Sequence, residues 1–123
     1  MSIRSYVVAT VIALTCFAAV AGAAPNLVNG KAEVQKQCLA CHSLEGKGNA
    51  KGPLEGLGAK LSADEIRQWL ADPKGMTAKA NATRTPKMDA LPNMLKFATP
   101  EALDDVVAYV ASLKTAPPPA PAK

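Results

Sequence analysis

Cys38-Leu39-Ala40-Cys41-His42 is the stretch that most narrows what this chain can fold into. Two thiols at i and i+3, followed at once by an imidazole, are what covalent attachment of a c-type haem requires. On a helical turn these two positions share a face, so both sulfurs meet one edge of a porphyrin and can add across its two vinyl groups. The adjacent histidine then lies under the ring and can coordinate iron. His42 is the only histidine of the chain, so its place directly after the thiol pair reads as that of the proximal ligand.

Three other readings of the pair stay open. A thioredoxin-like redox motif wants a βαβ context, and no such pattern follows. Half of a zinc site needs two further Cys or His ligands, and Cys16, the only other candidate, falls in a segment expected to be removed. A structural disulfide would leave His42 without a role. Covalent haem is the reading that uses all three side chains.

The first two dozen residues stand apart from the rest. Arg4 gives a positive start, Tyr6 to Val20 form an apolar run broken by two threonines, and Ala19-Val20-Ala21 and Ala21-Gly22-Ala23 are both small-x-small cleavage sites, the second preferred. The run is short for a membrane span, which needs roughly 20 apolar residues. Residues 1–23 therefore read as a cleavable export signal, and export places the protein in the periplasm, where haem is attached to cysteines. Cys16 follows Ala13-Leu14-Thr15, a poor match to a lipoprotein signal.

Loss of Arg4 with the leader lowers the net charge from +4 to +3. So small and scattered a charge argues against nucleic acid as a partner. The aromatics left are Trp69, Phe97 and Tyr109. A domain of roughly 100 residues with so few has a thin core, and a buried porphyrin would fill that deficit.

Along the chain, Asn29-Gly30 opens a helix over Lys31–Gln37, with Val34, Cys38 and Cys41 on one face. From Ser43 to Lys60, Gly46, Gly48, Gly52, Gly56, Gly58 and Pro53 describe an irregular loop, fit to let backbone approach a flat ring. Ser62-Ala63-Asp64-Glu65 is a capping box, Ile66, Trp69 and Leu70 follow at helical spacing, and Asp72-Pro73 ends that helix. From Lys74 to Ala98 no period holds. Thr99-Pro100-Glu101 starts a last helix, whose apolar stripe is Leu103, Val106, Val107, Val110 and Leu113, with Asp104 and Asp105 on other faces and Lys114 near its end. Residues 116–123 form a proline-rich tail expected not to fold compactly. No segment alternates with period two, so the expected class is all-α, one domain over residues 24–115.

This order of parts resembles the class I, monohaem cytochromes c, and the resemblance spans essentially the whole chain after the leader. It implies a cytochrome c fold: three main helices and long loops wrapped around one haem c, covalently bound through Cys38 and Cys41. Gly30 and Tyr109 match the crossing of the first and last helices. The family's usual aromatic at Val34 is absent, which implies looser packing there. Pro53 matches the proline whose carbonyl accepts a hydrogen bond from the proximal imidazole, and Trp69 is expected to pack on the haem. For the sixth ligand, Met88 in Thr85-Pro86-Lys87-Met88 matches the family's ligand loop best; Met94 in Pro92-Asn93-Met94 is its rival, and Met76 lies too close to Pro73. The implied function is one-electron transfer by a periplasmic carrier rather than an enzyme. A cytochrome subunit bound to a dehydrogenase or oxidase, or a ligand-binding or catalytic haem with a labile sixth site, are the alternatives. Partners are expected to be redox proteins with acidic docking surfaces met by Lys47, Lys51, Lys79, Lys87 and Lys96, with a membrane reached only through such a partner. The protein itself is expected to be a monomer.

Overall fold

The computed structural model describes residues 22–49, 52–82 and 86–116, without the side chains of 86 and 87. The expected leader, apart from Gly22 and Ala23, and the tail, apart from Ala116, lie outside the described residues, as do Cys16, Lys51 and the side chain of Lys87.

Helices dominate, as an all-α chain requires: α1 Leu27–Gln37, α2 Leu57–Lys60, α3 Ala63–Ala71, α4 Pro73–Ala80, α5 Leu91–Met94 and α6 Pro100–Ser112, with a 3₁₀ turn over Pro86–Ala90. Among the described residues no helix is long and apolar enough to cross a membrane.

The outer helices, α1 and α6, cross and carry the core. The stripe on α6 is buried at Val106, Val107, Tyr109 and Val110, and these meet Val34, Leu44, Leu54 and Ile66. Val34 is fully sealed from solvent despite being smaller than the aromatic the resemblance called for. At the crossing point Gly30 faces the backbone of Asp105. A Cβ there would collide with the Asp105 carbonyl oxygen and lie 2.8 Å from Tyr109 Cβ. Glycine is thus what allows the two backbones to touch.

Two expectations about this crossing are corrected. Helix α1 begins a turn before Lys31, because the Asn26 side chain accepts from the amides of Val28 and Asn29 and caps the helix there. Gly30 is therefore interior to α1. Asp105 is not on a solvent face but buried, 8 % exposed, and its carboxylate accepts from Asn26 N–H at 2.6 Å and Asn29 Nδ2 at 2.7 Å.

Helix α6 starts where its signals put it, with Thr99 accepting from Ala102 N–H and Pro100 in the first turn. Its far end is met by α2: Gly58 N–H donates to Leu113 O at 3.0 Å, and Lys114 Nζ donates to Gly58 O at 3.1 Å. The Ser62–Glu65 box on α3 is complete, and the hydrogen bonds from Ser62 hold the Glu65 carboxyl below its ordinary range. Asp72 ends α3 and then opens α4, accepting from Gly75 N–H ahead of Pro73. The stretch expected to be irregular thus contains an eight-residue helix.

One short hairpin departs from the expected absence of strands. Ser43–Leu44 (β1) pairs antiparallel with Lys47–Gly48 (β2) through a two-residue turn in which Glu45 has φ 53° and Gly46 φ 76°. Both central residues at positive φ make a turn of the type that suits strand twist. Glu45 is held in this unusual conformation from outside: its N–H donates to Glu55 Oε1 at 2.5 Å and its carboxylate meets Lys31 Nζ at 2.6 Å.

Candidate functional site

The turn 38–42 follows directly from the end of α1. Cys38 caps the helix, its N–H reaching Val34 O, and its own carbonyl accepts from both Cys41 N–H at 3.1 Å and His42 N–H at 2.9 Å. Those i+3 and i+4 bonds keep the chain coiled through the motif, so the two cysteines stay one turn apart. Both are free thiols rather than a disulfide; Cys38 is half-buried and Cys41 exposed. Burial pushes the Cys38 thiol up to about 11, with Cys41 and Glu33 adding to the shift. Among the described residues there is no group of three or more His, Cys, Asp or Glu that could hold a metal ion.

His42 is oriented by backbone. Its Nδ1 lies 2.8 Å from Gly52 O, so the geometry suits an Nδ1–H that donates to this carbonyl, leaving Nε2 as the nitrogen able to ligate. The expected acceptor was the carbonyl of Pro53, one residue later. The reason for the difference is the bridge between Ser43 and Pro53. Ser43 N–H donates to Gly52 O at 3.1 Å and Leu54 N–H donates to Ser43 O at 3.0 Å. In extended chain, successive carbonyls alternate sides, so pairing with Ser43 turns Gly52 O toward His42 and Pro53 O away. Pro53 itself is exposed.

Glycines make the close packing around His42 possible. A Cβ on Gly52 would lie 3.0 Å from Cys41 O and 3.1 Å from His42 Nδ1. At Gly48, φ is +88° and a Cβ would collide with His42 O, which also accepts from Asn49 N–H at 3.0 Å. Backbone therefore wraps His42 from two sides with no side chain between. This cradle, two free thiols on one turn and an imidazole with one nitrogen engaged fit a covalently held porphyrin with a histidine ligand.

The remaining candidates lie on elements that pack against one another: α3 meets α4 and α5, and α4 and α5 both meet the 3₁₀ turn. Trp69 is half-buried on α3. Met88 is half-buried in the 3₁₀ turn, Met94 is 57 % exposed at the end of α5, and Met76 is buried within α4. An apolar cleft of about 210 Å³ opens beside this part of the chain, lined by Leu70, Pro92, Leu95, Phe97 and Leu103. Of the lysines, Lys47, Lys79 and Lys96 are exposed.

Two groups go unannounced in the sequence: Gly52 O as the acceptor, and Gln37, whose side chain reaches the segment after α5 (Lys96 N–H to Gln37 Oε1, 2.8 Å). The Gly52-Pro53 dipeptide signalled a turn, but which carbonyl faces the ring depends on the Ser43 bridge, and nothing local announces that bridge.

A family model described as cytochrome c matches residues 27–114. No curated protein and no solved structure matches the chain.

Proposed function

Because the chain belongs to the cytochrome c family, with the covalently bound haem c and haem-based electron-transfer role that membership carries, we propose that it is a class I, monohaem carrier of single electrons, acting in the periplasm. The observation that supports this best is His42, whose Nδ1 is tied to Gly52 O at 2.8 Å and whose other nitrogen is free to ligate. Cys38 and Cys41 would hold one haem by thioether bonds and His42 would be its proximal ligand. Met88, with its half-buried side chain, is the proposed sixth ligand. When bound, the haem supplies an Fe(II)/Fe(III) couple.

The chain's own residues do the rest. Gly52 O fixes the tautomer and plane of His42 and raises its donor strength. Cys38 and Cys41, one turn apart, would fix one edge of the group against the end of α1. His42 and Met88 would hold the iron between them, a ligand pair that favours the reduced state and raises the potential, and they would leave no open place for a substrate.

Spectra of the ferric and reduced protein test this. Wild type is expected to be low-spin, to show the weak charge-transfer band at the red end of the visible spectrum that methionine ligation produces, and to bind carbon monoxide poorly. Met88→Ala should lose the band and bind carbon monoxide readily; Met94→Ala should keep the band. The reverse pattern would pass the sixth position to Met94. A high-spin wild type that binds carbon monoxide would replace the carrier by a ligand-binding or catalytic haem protein.

Lys47, Lys79 and Lys96 are exposed and belong to the proposed docking surface for an acidic redox partner. Association steered by such charges falls steeply as salt rises, because the Debye length shrinks from about 10 Å at 0.1 M to about 3 Å at 1 M. Stopped-flow electron transfer to an acidic partner protein is expected to slow at least tenfold over that range; a flat response would remove the lysines from the docking role.

A further inference from the structure

Gln37 stands immediately before Cys38, and its side-chain amide is used at both ends. Nε2 donates to Glu33 Oε2 at 2.5 Å, one turn back on α1. Oε1 accepts from Lys96 N–H at 2.8 Å, across 59 residues of chain. The first bond fixes which way the amide points, and the second uses that direction to hold the backbone just after α5. At this place Leu95 and Phe97 turn inward to line the apolar cleft beside α3 and α6, and Phe97 packs against the core. The segment so held, residues 86–98, carries both Met88 and Met94.

We propose that Gln37 is the latch of the methionine-bearing segment: a positioning residue that couples the end of the haem-attachment helix to residue 96 and sets how often the sixth ligand lets go of the iron. This rests on the reading of the site as a haem with a methionine from that segment. Without the bond, the Lys96 amide loses its partner at the point where the chain must be held flat against the cleft. The segment then swings out more often, and the axial position opens with it. Glu33 takes part as the residue that orients the amide, so the latch is a pair. A shorter or apolar side chain at 37 breaks both contacts, while an exchange of acid and amide between 33 and 37 rebuilds them with the same net charge.

The experiment uses the haem-loaded ferric protein and imidazole as the probe ligand. At saturating imidazole the binding rate reads how fast the methionine leaves, since entry of the probe must wait for it. Amide hydrogen exchange at Lys96 reads the bond itself. In Gln37→Ala both are expected to rise roughly threefold to tenfold, the range for loss of one hydrogen bond. The global unfolding midpoint should change little, because alanine is the better helix former. The exchanged pair Glu33→Gln/Gln37→Glu should bring both rates back toward wild type. If Lys96 exchange is unchanged in Gln37→Ala, or if it rises while the limiting imidazole rate does not, the latch is refuted. Failure of the exchanged pair to restore the rates refutes it as well. A wild type that lacks the methionine band marks failure of the ligation reading instead, seen before any variant is made.

Discussion

Replacing Gly30 by alanine is expected to lower the folding free energy by about 3 kcal/mol, at the upper end of what overpacking a tight core costs. The added methyl has nowhere to go. It would strike the Asp105 carbonyl oxygen, with the Asp105 carbonyl carbon at 2.7 Å and Tyr109 Cβ at 2.8 Å. Two of these three atoms are backbone, so relief requires one helix to shift against the other. That shift strains the hydrogen bonds of Asp105 to Asn26 and Asn29. The expected loss is net of the roughly 0.5–1 kcal/mol that alanine gains over glycine within a helix. For a domain of this size the net change corresponds to a fall in Tm of roughly 12–24 °C. Gly46→Ala is the control: it has φ +76° but nothing within 4 Å, so it should cost about 1–2 kcal/mol from backbone conformation alone. Thermal and guanidinium unfolding of the two variants check this, and equal losses would mean that the close approach at residue 30 contributes nothing.

Asp105→Ala is expected to cost about as much by a different route. The carboxylate is 8 % exposed and accepts two hydrogen bonds, from the backbone of Asn26 and the side chain of Asn29. It also stands at the N-terminal end of α1, where the helix dipole favours negative charge. Hydrogen bonds to a charged group contribute about 1.5–3 kcal/mol each, and their loss leaves the donors without a partner. A loss of about 3 kcal/mol in Asp105→Ala, against about 1 kcal/mol in Asp105→Asn, which keeps one acceptor, is the expected pattern. Because the donors sit on one helix and the acceptor on the other, Asn29→Ala and Asp105→Ala should couple by about 1 kcal/mol in a double-mutant cycle. Additive losses would show that Asn29 is not a true partner.

Much of the frame is readable from local chemistry. The Ser62–Glu65 box, the Thr99-Pro100 start and the Val106–Val107–Val110 stripe are signals confined to a few neighbouring residues, and each is present as expected. The errors fall where a residue answers to something distant. Asp105 looks like a solvent-facing acid because its partners lie 76 and 79 residues away. Pro53 looks like the imidazole's acceptor until the Ser43 bridge turns its carbonyl away. Asp72-Pro73 reads as a stop, but an acidic cap followed by proline in the first turn is equally a start, and here one aspartate does both. Helix α4 lacks a strong apolar stripe, so periodicity had little to detect; only Pro73 and Met76 are buried along it. At the site, Cys38, Cys41 and His42 stand out from their spacing alone. Gln37 does not, because a glutamine on a helix near its end carries no signal until the other end of its amide is seen.

The crossing of α1 and α6 also has a kinetic side. Its contacts join residues as far as 79 positions apart, and bringing together the ends of so long a loop costs about 4 kcal/mol of chain entropy. Nothing in the intervening short helices repays that cost early, since each is eight or nine residues or fewer and too short to persist alone. The search that limits the rate of folding is therefore the meeting of the two chain ends. It should make this domain slower to fold than bundles whose contacts join sequential helices. Variants at Gly30 or Asp105 should then act chiefly on the rate of folding, with the rate of unfolding little changed.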